Sequence, residues 1–181
     1  MNNEPRDPNE PFKRLFFALP CAPELRRAIG QWRGALRLNN GRPVPTENFH
    51  LTLMFLGSVG VTQIPDICAA AANLKTPGEA LTLSLDHLDA WHRSGVLLLA
   101  PSQTPLALRQ LVYALQQALL PLGFVDAARE FRPHLTLMRD YHATVPESPT
   151  APEFHLRAGQ FMLFESHKGL YRSLAEWPLL A

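Results

Sequence analysis

The five residues His50-Leu51-Thr52-Leu53-Met54 recur letter for letter as His134-Leu135-Thr136-Leu137-Met138, 84 residues later in a chain of 181. The repeat limits the fold because strand geometry fixes what each copy presents. In an extended strand residues i and i+2 share a face. Each copy therefore shows a histidine and a threonine on one side while its leucines pack on the other. A chance repeat in a leucine-rich chain would be mostly leucine and alanine, whereas each copy here carries one of only seven histidines. The plain alternative is two half-buried strands with satisfied core histidines. Packing does not require the shared alternation, the matching flanks and the half-chain spacing.

The neighbourhood of each copy repeats as well. Leu15 to Leu19 reads as a buried strand, and a helix follows from Pro23, with Leu25, Ile29, Trp32 and Leu36 as its apolar stripe. Asn39 to Pro43 breaks the pattern before the His50 strand, which Gly57 is expected to end. A second helix is expected from about Thr62 to Lys75, then a strand through Leu81, Leu83 and Leu85. The second half runs in the same order. A strand over Gly95 to Ala100 leads to a helix with Thr104 as N-cap, a stripe of Leu108, Leu111, Val112, Leu115 and Leu119, and a stop at Gly123. The His134 strand follows, then a loop over Tyr141 to Pro152 and two strands, Glu153 to Glu165 and Gly169 to Trp177. Duplication is the economical explanation. The expected fold is α+β: two pseudo-symmetric lobes of antiparallel sheet plus helices, with a cleft between them where His50 faces His134.

Composition narrows the setting. The chain is 46% hydrophobic, enough for one good core, and we expect a single two-lobed domain over 12–181 behind a disordered tail, Met1 to Pro11. The tail has no apolar signal-peptide segment, and no apolar run is long enough to span a bilayer. Cys21 and Cys68 show neither metal-ligand spacing nor a disulfide framework. These features suit a cytoplasmic protein, and we expect a monomer. A net charge of +1 lacks the basic bias of proteins that grip long nucleic acids, so a terminal or small phosphate target fits better.

Two histidines and two threonines suit proton transfer at a phosphate ester. One imidazole can be neutral while the other is protonated near neutral pH, giving a base and an acid together. Phosphodiester cleavage needs both, on opposite sides of phosphorus. Thr52 and Thr136 would place hydroxyls near the non-bridging oxygens. Arg132 shares the strand parity of His134, with Pro133 marking an edge or entry. Arg139 has the opposite parity and reaches the cleft only if the strand ends or bulges near Met138. A solvated surface charge is the competing reading for either arginine. Asn48 has the parity of His50 and no assignable role. Of the aromatics, Phe17 and Trp91 read as core and Tyr171 as the best ligand contact. The other five histidines show no pairing, and no third ligand stands at a zinc spacing, so no metal or other cofactor is expected.

With these motifs in place the chain resembles the two-histidine phosphoesterase superfamily, and within it the bacterial RNA 2′,3′-cyclic phosphodiesterase (2′-5′ RNA ligase) family. The likeness covers nearly the whole chain. It runs through Lys13 to Ala18, Gly41 to Val44, His50 to Gly57, Trp91 to Ser94, Arg132 to Asp140 and Tyr171 to Trp177. It implies metal-independent opening of a 2′,3′-cyclic phosphate at an RNA end to leave a 2′-phosphate, with His50 as proton donor and His134 as acceptor. It supports Arg139 and leaves Arg132 to strand parity alone. The partners it implies are RNA ends or nucleotide cyclic phosphates, with 2′-5′ ligation as the reverse reaction. Cyclic phosphodiester cleavage in small nucleotides or 2′-5′ oligonucleotides is the alternative on the same site. A non-catalytic RNA-end binding module is the alternative from another class.

Overall fold

The computed structural model describes residues 11–125 and 130–180, so the expected tail, save Pro11, lies outside the described residues. In chain order the elements are β1 (Phe12–Pro20), α1 (Pro23–Ala35), β2 (Arg42–Pro43), β3 (His50–Gly60), α2 (Ile64–Ala72), β4 (Leu81–Leu85), β5 (His87–Trp91) and β6 (Val96–Ala100). They continue with α3 (Leu106–Leu119), β7 (Leu135–Arg139), β8 (Phe154–Ala158), β9 (Gln160–His167) and β10 (Leu170–Pro178). There are two four-stranded sheets, ordered β10-β9-β1-β3 and β2-β7-β6-β5, and a separate two-stranded sheet of β4 and β8. Pairing within each sheet is antiparallel, and the fold is α+β.

The sequence repeat is also a structural repeat. β1 leads through α1 to β3 and pairs with it; β6 leads through α3 to β7 and pairs with it. The strands form where the apolar runs lie, since Leu15 to Leu19 and Val96 to Leu99 are all buried. α3 buries the stripe its spacing demands, Leu108, Leu111, Val112, Leu115 and Leu119. One contiguous core takes Leu19, Leu51 and Ile29 from the first half and Leu97, Leu115 and Leu137 from the second. The halves differ at their edges: the β9–β10 hairpin extends the first sheet beside β1, while the second gains β5 beside β6 and the short β2 beside β7. Among the described residues no helix is long and apolar enough to cross a membrane.

Several boundaries depart from the sequence reading. Gly57 does not end β3; it adopts φ +76 inside a strand that runs on to Gly60, absorbing a register shift at Leu56. Thr104 does not cap α3. Pro105 is the N-cap, and its carbonyl accepts from the amides of Leu108 and Arg109. α2 is shorter than expected because Val61 to Gln63 form a 3-10 turn ahead of Pro65. The segment from Glu153 to Glu165 is two strands in different sheets, divided at Gly159. β5 was hidden because it is an edge strand bearing His87 and Asp89.

Candidate active site

Both motif strands carry the same irregularity. Facing β1, Thr52 pairs with Ala18 and Met54 with Phe17, passing over Leu53. Facing β6, Thr136 pairs with Leu98 and Met138 with Leu97, passing over Leu137. Each copy thus bulges one residue after its threonine, and a bulge reverses the inward and outward alternation beyond it. The face that holds His50 and Thr52 continues with Phe55, and the face that holds His134 and Thr136 continues with Arg139. The opposite parity of Arg139 is thereby removed, by the bulge its position required. Phe55 and Arg139 occupy equivalent places, again 84 residues apart.

The imidazoles are held alike. His50 Nδ1 donates to the Asn48 carbonyl at 2.6 Å, and His134 Nδ1 donates to the Arg132 carbonyl at 2.8 Å. A ring whose Nδ1 carries a proton for a backbone carbonyl keeps Nε2 for chemistry. At His50 that nitrogen lies 2.7 Å from Thr52 Oγ1, so the hydroxyl donates to the neutral ring. At His134 Nε2 has no protein hydrogen bond among the described residues. Burial lowers the His50 pKa to about 4; the Asn48 bond opposes this, and the charges of Arg139 and His134 add to it. His134 is lowered first by burial, then by the charges of Arg132 and Arg139, against its bond to the Arg132 carbonyl. The charge of Arg139 thus bears on both rings, and that of His134 on His50.

Aromatic rings wall each imidazole. Phe16 lies 4.9 Å from His50 between ring centres, and Tyr171 meets His50 edge-on at 5.1 Å. On the other side Trp91 meets His134 at 4.5 Å, and the Arg132 guanidinium sits 4.0 Å over the Trp91 ring. Trp91 is therefore a wall of the site, not a core residue, because β5 lies only two strands from β7 in its sheet. Phe17 is core, packed on Phe161 and Trp177. Arg132 reaches the site from the loop before β7 and not by strand parity; Pro133 has no N–H with which to join the ladder.

Beyond His50 opens a cavity of about 400 Å³ lined by Arg14, Phe16, Phe55, Arg139, Ser166 and Tyr171. Phe16 and Phe55 were missed because an aromatic inside an apolar run reads as core. Asn48 is buried, and its amide donates to the Gly169 carbonyl at 2.8 Å, tying the hairpin that bears Tyr171 to the first motif. Its shared parity with His50 was the one available sign. Arg33 was missed too: from α1 it donates to the carbonyls of Val44 and Leu137, at 2.6 and 2.9 Å, so it bridges the two halves. Among the described residues no three His, Cys, Asp or Glu side chains are grouped as a metal site would need.

Comparison with known proteins bears directly on this arrangement. The sequence model of the "LigT like Phosphoesterase" family matches residues 19–98, which include the first motif. The RNA 2′,3′-cyclic phosphodiesterase of Escherichia coli strain K12 is 35% identical over 172 residues, 92% of this chain and 97% of that protein. The chain belongs to the LigT-like phosphoesterase family. Its fold matches E. coli LigT complexed with 3′-AMP at a TM-score of 0.80 and 33% identity, covering 93% of this chain and 99% of that one. The match to E. coli LigT complexed with phosphate has a TM-score of 0.79 at 32% identity, covering 96% and 100%. The second motif of this phosphoesterase lies outside the stretch that the family model matches, within the longer match to the E. coli relative.

Proposed function

We propose that this phosphoesterase hydrolyses 2′,3′-cyclic phosphates at RNA ends to 2′-phosphates, by paired-histidine acid-base catalysis without a metal. The observation that carries the reading is a pair of imidazoles anchored alike through Nδ1, both of which feel the charge of Arg139, while His50 feels that of His134. His134 Nε2 takes a proton from water as its oxygen bonds to phosphorus. His50 Nε2–H gives a proton to the 3′ oxygen as the P–O3′ bond breaks, so one proton enters the site and one leaves it. Thr52, Thr136 and Arg139 hold the non-bridging oxygens as charge builds on them, and Tyr171 contacts the nucleotide. Burial holds His50 neutral at pH 7; an anionic phosphodiester beside Nε2 raises its pKa, so substrate arrival supplies the acid. A 5′-hydroxyl in place of water gives a 2′-5′ linkage by the same transfers.

The substrate class is supported by the E. coli relative, whose name states it. All of these groups come from one chain, which suits a monomer, and the two separate thiols suit the cytoplasm. The test is to incubate the protein, with EDTA present, with an oligoribonucleotide ending in a 2′,3′-cyclic phosphate and to identify the monoester by ³¹P NMR. The 2′-phosphate is the expected product. A 3′-phosphate, or turnover that EDTA abolishes, overturns the mechanism, and the absence of turnover with and without added metal overturns the function.

A further inference from the structure

We infer that the cavity beyond His50 is a second phosphate subsite, which receives the diester joining the terminal nucleotide to the rest of the RNA, with Arg14 as its charge. The inference rests on the proposed function, since it extends that substrate away from the cyclic phosphate.

The geometry starts from the sheet register. Arg14 on β1 lies between Ser58 on β3 and Ser166 on β9, and Tyr171 on β10 lies opposite Ser166. Two residues along β1 stands Phe16, opposite Phe55 and Phe164, and Phe16 is the ring packed on His50. Because alternate residues share a face, Arg14, Phe16, Ser166 and Tyr171 belong to the surface that continues from the imidazole. Arg139 comes across from the second sheet to line the same space. One end of the cavity therefore adjoins the reacting phosphate, and the other is marked by Arg14.

The chemistry of the lining selects an anion. Two guanidiniums face the cavity, with Ser166 and Tyr171 as further donors and no carboxylate. Nearby acids are engaged elsewhere: Glu165 pairs with Lys13, and Asp140 pairs with Arg42. Arg14 and Arg139 make no ion pair among the described residues. Phe55, 61% exposed, adds an uncovered aromatic wall. A cavity beside a phosphate site, apolar on one wall and doubly cationic, fits the next phosphate of a polynucleotide better than it fits a lone nucleoside. Arg139 serves the reacting phosphate, which leaves Arg14 for the linking one.

The test compares adenosine 2′,3′-cyclic phosphate with the same compound bearing a 5′-phosphate, and with a dinucleotide ending in a 2′,3′-cyclic phosphate. In the wild type kcat/KM is expected to be about tenfold higher for the two compounds with a 5′-linked phosphate, the scale of one charge-assisted hydrogen bond. Arg14→Gln is expected to bring that ratio close to one. Arg27→Gln, which removes an exposed cation on α1, keeps the wild-type ratio and so separates a local contact from general attraction. Equal kcat/KM for all three compounds in the wild type overturns the subsite while leaving the proposed function standing. A ratio that survives Arg14→Gln, or falls as much in Arg27→Gln, overturns the role of Arg14. No turnover of any of the three is the separate failure of the proposed function itself.

Discussion

The two copies of the motif are alike in backbone and unlike in surroundings, and the contrast separates what duplication supplies from what assigns a role. Each copy anchors its Nδ1 on the carbonyl two residues earlier and bulges one residue after its threonine. The shared features leave the Nε2 of each ring as the atom not held by backbone. The differences begin at the side chains. His50 Nε2 is held by Thr52 and walled by Phe16 and Tyr171, whereas His134 Nε2 has no protein partner among the described residues and is walled by Trp91. An unengaged lone pair suits a base that receives a proton from water. A hydroxyl-held nitrogen suits an acid that is protonated when an anion arrives.

The largest effect should come from breaking either half of the pair. His50→Ala and His134→Ala are each expected to lower kcat by roughly 10²- to 10⁴-fold, the range for lost acid-base catalysis, with folding intact by circular dichroism. The double variant is expected to be little worse than the worse single one, since the two act as a unit. Two single losses that simply multiply would separate the copies into independent sites.

The threonines sharpen the comparison. Thr52→Ala and Thr136→Ala should each cost about 1.5 to 3 kcal/mol in kcat/KM if their hydroxyls bond a charged phosphate. Thr52→Ala also removes the donor to His50 Nε2, so it alone should shift the acid limb of the pH profile upwards. Equal profiles for the two variants would erase the asymmetry drawn here.

Arg139 tests whether the copies share one electrostatic site. Its charge disfavours both imidazoliums, and both rings lie below the ordinary histidine pKa of 6.5. The kcat/KM optimum should therefore fall on the acid side of that value. In Arg139→Gln both pKa values rise, so both limbs should move to higher pH. Movement of one limb alone would place Arg139 at one histidine only.

The smallest expected effect concerns the equivalent positions 48 and 132. Asn48 is buried and bonds the β9–β10 hairpin, whereas Arg132 lies exposed on Trp91. Asn48→Ala should cost about 1 to 3 kcal/mol of stability by urea unfolding, and Arg132→Ala about 0.5 to 1 kcal/mol.

Much of this was legible in the sequence because it is local. The buried stripe of α3, the apolar run of β1 and the His-x-Thr alternation follow from period alone. The bulge was not legible: Leu53 and Leu137 look like any alternating leucine, and only the cross-strand register shows that they are passed over. Trp91, Phe16 and Asn48 were misread or left unassigned for a related reason. Each joins the site through a strand or hairpin distant in sequence, β5 beside β6, β1 beside β3, and the Gly169 turn against Asn48. Arg132 shows the converse: it lies on Trp91 beside His134, but the strand argument that singled it out is one that Pro133 defeats.

The central claim is that both imidazoles serve one phosphate. Titration of the protein with adenosine 2′-monophosphate, followed through the ring signals of His50 and His134 by NMR, tests it most directly. Both sets of signals should move together with a single Kd, and both pKa values should rise as the anion binds. Movement of one ring without the other, or two different Kd values, would contradict a shared site.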